Sequence, residues 1–132
     1  MSTINKILPK YSLIPGTFTS PELISLDAIQ VLRKADAIVY DQLANTDLLK
    51  YVRQGIPFYY TGHFSGNRSQ RKDYLNELIL ELSYSFGHVV HIQGIEQALF
   101  KHPAETLNYI DAFNIETDVV SVNNSNPEIY LN

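Results

Sequence analysis

Residues 11–41 read YSLIPGTFTSPELISLDAIQVLRKADAIVYD, and their order decides the fold. A short apolar strand at residues 11–14 breaks at Pro15-Gly16 and leads into the polar loop Thr17-Phe18-Thr19-Ser20. A helix is predicted to start at Ser20-Pro21-Glu22. Ser20 accepts from orphan N–H groups as N-cap, Pro21 suits the first helical position, and Glu22 faces the positive end of the dipole. In the helix body Leu23, Leu26, Ile29, Val31 and Leu32 form one broad apolar face, with Asp27, Gln30, Arg33 and Lys34 mostly opposite. Residues 37–40 are continuously apolar, which suits a strand covered on both faces. Strand, loop, helix and strand within about thirty residues is the size of a βαβ crossover. Ligands of such sheets bind at the carboxyl ends of the strands, so residues 15–20 and Asp41 are where chemistry is expected.

The same rhythm runs on. Residues 45–53 read as a short helix with Leu48, Leu49 and Val52 inward, stopped by Gly55. Residues 56–61 (IPFYYT) are a predicted strand, with Pro57 near its start, where a missing donor is tolerated. Residues 62–67 (GHFSGN) form the loop at its carboxyl end. The longest helix is expected over residues 69–85, where Tyr74, Leu75, Leu78, Ile79 and Leu82 recur at helical spacing and Gly87 supplies the stop. Residues 88–92 (HVVHI) are the next strand and run into Gln93-Gly94. A helix over residues 103–113 ends at Asn114, which takes the left-handed cap that glycine takes elsewhere, and residues 119–122 are the fifth strand. Residues 123–132 read as a polar tail with a small apolar anchor. Five strands alternating with four helices predict an α/β fold: one three-layer αβα domain with a mostly parallel five-stranded sheet and a core over residues 11–122.

Composition narrows the function. The 132 residues are 45% apolar and 18% charged, which fits one folded domain and excludes disorder. A net charge of −4 argues against general nucleic-acid binding. With no cysteine there is no disulfide framework, thiolate metal site or cysteine nucleophile. Residues 1–10 are too polar for a signal peptide and no apolar run approaches membrane-spanning length, so a cytoplasmic location is expected.

The candidate site residues divide into two groups. The first loop holds Gly16 but bulky Phe18, a poor phosphate cradle and an ordinary βα turn. Around the start of the long helix, His63, Arg68, Arg71 and Lys72 gather beside orphan N–H groups. They read either as a solvated basic turn or as an anion-binding corner for a carboxylate or phosphate. The histidines make no metal site by spacing. His88 and His91 are three apart along a strand and face opposite sides of the sheet, while His63 and His102 lie in separate loops, so each reads as a surface or edge histidine. Asp41 could do acid–base work, but a structural role holding a loop N–H fits it as well.

The order of these signals resembles the tetrapyrrole (corrin/porphyrin) methylase family, in particular the N-terminal domain of its uroporphyrinogen-III C-methyltransferase branch. That pattern has a strand, G-x-G-P-G-D-P-E-L-L-T, a helix and A-D-V-V-x-Y-D-x-L; here Pro21-Glu22-Leu23, Ala35-Asp36, Val39-Tyr40-Asp41 and Leu43 match in order and spacing. Thr61-Gly62-His63 sits where the family has V-G-K, and Asn76-Glu77-Leu78, Gly87 and residues 89–94 (VVHIQG) fall where it has N-x-L, G and V-V-R-L-K-G. The resemblance implies S-adenosylmethionine (SAM) as cofactor, held between two α/β domains, and C-methyl transfer as activity. It assigns Pro15, Gly16, Ser20, Asp41, Gly94 and Glu96 as vestigial cofactor-binding positions. The departures fall there: Ser20 stands at the aspartate position of the first loop, the family's G-G-D-P reads Gly94-Ile95-Glu96-Gln97, and its P-G-V-T-S reads SVNNS at residues 121–125. The family's second domain has no counterpart in these residues. The expectation is therefore a degenerate methylase-like domain with no tightly bound cofactor and no catalytic residue of its own. It would act by binding or assembly, as a homodimer or with a partner protein covering the cleft. The alternatives are a SAM-dependent half completed by a partner chain, and a sensor of a tetrapyrrole or small anion.

Overall fold

Every strand pairing in the sheet is parallel, and the strands stand in the order β3-β2-β4-β1-β5. The computed structural model describes residues 8–16, 24–94 and 103–121. Its elements are β1 (Lys10–Ile14), α1 (Leu26–Lys34), β2 (Ala37–Tyr40), a 3-10 helix (Thr46–Tyr51), β3 (Phe58–Tyr60), α2 (Arg68–Phe86), β4 (His88–Ile92), α3 (Pro103–Asp111) and β5 (Glu116–Val119). The expected α/β class holds, and the sheet is wholly parallel rather than mostly so.

Strand alternation sorts the core into two layers. Tyr11, Leu13, Val39 and Val89 point to the face covered by α2 and α3, where Leu75, Ile79, Leu82 and Ile110 meet them. Ile14, Ile38, Val90 and Ile92 point to the other face, against Ala28 and Leu32 of α1 and Leu48 of the 3-10 helix. Right-handed crossovers explain the sorting. The chain moves from β1 through α1 toward the β3 edge, and from β4 through α3 toward the β5 edge. Adjacent strands β1 and β4 thus send their connections to opposite faces, which makes their carboxyl ends the topological switch point.

Several local expectations are corrected. The helix predicted from Ser20 begins at Leu26, because Ser25 is extended (φ −69°, ψ 151°) and its side chain accepts from the Ala28 N–H as N-cap. Ser20, Pro21, Glu22 and Leu23 lie outside the described residues, as do Phe18 of the loop, Glu96, His102 and the tail. Leu26 is 65% exposed: at 100° per residue it lies about 200° around the helix from buried Ala28. The second helix is a 3-10 helix, closed by Leu48 N–H to Asn45 C=O and Val52 N–H to Leu49 C=O. The fifth strand is Glu116–Val119, not residues 119–122. Lys10 reaches Glu116 (3.5 Å) and Asp118 (3.4 Å), so cross-strand charge and not apolarity marks this edge, while Ile115 and Val120 bury on either side. Two stops stand as read: Gly87 (φ 104°, ψ −93°) takes a positive-φ conformation suited to glycine, and Asn114 (φ 63°) takes a left-handed φ after its helix.

Candidate functional site

The carboxyl edge of the sheet carries a buried polar chain that crosses four strands. At the end of β2, Asp41 is 5% exposed, and its carboxylate accepts from three donors. Thr61, just past β3, donates its hydroxyl to Oδ1 at 2.6 Å. His91 of β4 places Nε2 3.0 Å from both oxygens, and Gly94 donates its N–H to Oδ2 at 3.3 Å. On the far side of the ring, Nδ1 of His91 lies 2.7 Å from the Tyr11 hydroxyl of β1. An ionised carboxylate only accepts, so Nε2 carries a hydrogen, and the Tyr11 hydroxyl and Nδ1 share the hydrogen bond that completes the chain. Tyr11 is fully buried and His91 is 2% exposed.

Electrostatics agree with this arrangement. Burial works to raise the Asp41 pKa, but His91, with the Thr61 and Gly94 donors, overcomes it and holds the carboxyl at about 2 against an ordinary 3.8. Burial, and then the Asp41 charge, push the Tyr11 phenol well above its usual range.

The exit turns of β2 and β4 are in backbone contact. A Cβ on Gly94 would collide with the carbonyl oxygen of Gln42, so only glycine fits. In the same β2 turn, Leu43 holds φ 65° although it is not glycine, and it is 62% exposed. The turn closes by Ala44 N–H to Asp41 C=O. Pro15 and Gly16 follow β1, half-buried, next to the point where the Gln93 N–H donates to the Ile14 carbonyl. Of the positions assigned from the resemblance, Asp41 and Gly94 are thus brought into hydrogen-bond contact and Pro15-Gly16 lies across the switch point from them; Ser20 and Glu96 lie outside the described residues.

The basic residues each have a partner within the chain. Arg71 donates to the Phe64 carbonyl (3.1 Å) and stands 5.9 Å from that ring, Lys72 pairs with Glu105 (2.9 Å), and His63 is exposed with its ring edge-on to Tyr60. The start of α2 is capped by its own side chains: Asn67 accepts from the Gln70 N–H and Gln70 from the Asn67 N–H. Arg68 is exposed and engaged in an interaction of its own.

His91 corrects the reading of every histidine as surface or edge. A histidine flanked by Val89, Val90 and Ile92 in a covered strand is buried, and burial demands partners. The signal available in the sequence was Asp41, the acid closing the other apolar strand. His88 does face the opposite side, where Nε2 meets the Ser12 hydroxyl at 2.8 Å. Among the described residues no three histidine or carboxylate groups stand close enough to hold a metal ion, and no helix is long and apolar enough to cross a membrane.

A parallel open sheet with a buried carboxylate beside its switch point defines the class: an α/β domain of the kind that binds ligands at the carboxyl edge. Within that class the chain is a relative of the tetrapyrrole methylases. It is 34% identical over 87 residues to a uroporphyrinogen-III C-methyltransferase of Methanobacterium ivanovii, covering 66% of this chain and 37% of that protein. It is 28% identical over 100 residues to the chloroplastic SAM-dependent uroporphyrinogen III methyltransferase of Arabidopsis thaliana, covering 76% and 27%. The fold matches the crystal structure of uroporphyrin-III C-methyltransferase from Thermus thermophilus with a TM-score of 0.67 at 18% identity, over 86% of this chain and 47% of that one. The Thermus enzyme complexed with S-adenosylhomocysteine matches with a TM-score of 0.60 at 22% identity, over 84% and 43%. The chain therefore spans less than half the length of each of these proteins. No family model matches it.

Proposed function

We propose that this chain is a uroporphyrinogen-III C-methyltransferase-like domain that acts by binding or assembly and does not transfer methyl groups on its own. The observation that carries this reading is the state of Asp41. All three of its hydrogen-bond donors belong to the protein, its charge is held by His91, and it is sealed from solvent. A group so occupied offers no acid or base to a substrate. The first loop supports the reading, since Thr17, Phe18 and Thr19 replace the small residues that backbone needs for close approach to a ligand. Pro15, Gly16 and Gly94 then form one wall of a SAM cleft that binds weakly until a second copy or a partner chain covers it. His63, Arg68, Arg71 and Lys72 remain the place where a small anion or a tetrapyrrole carboxylate would meet positive charge.

A second reading is favoured by the relatives themselves, one named as SAM-dependent and one seen with S-adenosylhomocysteine. In it the chain is half of a methyltransferase completed by a partner. A thermal-shift titration separates the two. Cofactor at a hundred times a micromolar dissociation constant stabilises a fold by about 2.7 kcal/mol, a rise on the order of ten degrees for a domain of this size. The first reading expects no such rise with SAM or S-adenosylhomocysteine at millimolar concentration, and no methyl transfer to uroporphyrinogen III. A saturable rise of several degrees moves the second reading to first place.

A further inference from the structure

A leucine held at positive φ on an exposed turn is an unfavourable conformation that something must maintain. Leu43 is such a residue, and nothing in its own burial explains it, because most of its side chain faces solvent. The turn is held from within. Asp41 opens it, and the Asp41 carboxylate is fixed by Thr61 and His91 while its Oδ2 draws in the Gly94 N–H. Gln42, between Asp41 and Leu43, presses its carbonyl against Gly94. Behind His91 stands Tyr11, which fixes the ring through Nδ1.

We propose that Tyr11 and His91 are positioning residues for the binding edge. Through the Asp41 carboxylate they lock the β2 exit turn, with Leu43 in its left-handed conformation, against the Gly94 backbone of the β4 exit. The consequence is a pre-set rim beside the switch point: an apolar side chain from one turn and a bare glycine backbone from the other. This rests on the reading that the carboxyl edge is the binding edge, but its test needs no ligand, so the two can fail separately.

The test combines amide NMR with a double-mutant cycle. Tyr11→Phe removes only the hydroxyl, His91→Phe removes the donor to Asp41, and His91→Gln retains an N–H donor on a comparable side chain. In the phenylalanine variants the Leu43 and Gly94 amides are expected to shift and exchange faster, while amides of α1 and of the amino end of β3, remote from the substituted side chains, stay in place. His91→Gln is expected to restore much of the wild-type pattern. Leu43→Gly is expected to raise the folding equilibrium constant several-fold in the wild type, because glycine takes positive φ without strain. In the Tyr11→Phe background that gain should shrink toward none, since the turn is already relaxed. Should His91→Phe fail to fold, Tyr11→Phe and the cycle decide. Unmoved Leu43 and Gly94 signals in Tyr11→Phe, or an equal gain from Leu43→Gly in both backgrounds, overturn the proposal.

Discussion

Asp41 loses water on nearly every side and still keeps its charge, so acid reaches it only after most surface carboxylates. Its folded pKa of about 2 lies below the ordinary 3.8. A depressed carboxyl adds stability that is complete above the unfolded value and disappears as pH falls through the folded one. The difference corresponds to on the order of 2 kcal/mol, lost between about pH 4 and pH 2. Urea unfolding across that window is expected to show the loss in the wild type and a flatter profile in Asp41→Asn, which starts lower because His91 and Thr61 lose an ionised acceptor. An equal slope in both proteins would remove Asp41 as the origin. Asp41 and Gly94 were legible as neighbours of the strand ends; Tyr11, Thr61 and His91 were not. Their roles depend on strand order, and only a β4 inserted between β1 and β2 brings Tyr11, His91 and Asp41 into one line.

At the scale of elements, helix α1 shows how a plausible signal loses to a better one. Ser20-Pro21-Glu22 has the composition of a helix start, yet Ser25 caps the helix and also donates its hydroxyl to the Ser121 carbonyl beyond β5 at 2.8 Å. One side chain thereby serves a cap and a tertiary contact, which favours the later start. Ser25→Ala is expected to lower stability by about 1–2 kcal/mol, a cap plus a hydrogen bond, measured by chemical denaturation. A change within a few tenths would show that neither bond contributes to stability. The strongly patterned elements were legible almost to the residue: β4 matches its expected span, and α2 extends only slightly beyond it. Short elements were harder. The fifth strand gets its identity from Lys10, a residue distant in sequence, and periodicity does not register an ion pair across a ladder.

The whole molecule leaves aromatic area uncovered. Phe58 on the edge strand β3 is 44% exposed, as are Tyr84 (57%) and Phe113 (42%) near the ends of α2 and α3. Such area favours partners, and a homodimer is the commonest closed assembly. Sedimentation equilibrium is expected to give twice the chain mass at high protein concentration, with Phe58→Ser reducing it if the β3 edge is involved. A monomer throughout the concentration range would count against self-association and leave a different chain as the partner.

The place of β1 in the sheet also has a history built into it. Among the described residues it is the first strand, but its neighbours on both sides, β4 and β5, are the last two. A growing chain can pair β2 with β3 early; β1 has to wait, unpaired, until β4 has been made. Closing so long a loop must precede any reward from the contacts it allows, which places refolding toward the slow side of the range for mixed α/β domains. In the interval Leu13 and Ile14 are exposed apolar side chains on a strand with two open edges, a template for pairing with the wrong chain. Synthesis therefore leaves β1 vulnerable until β4 has been made.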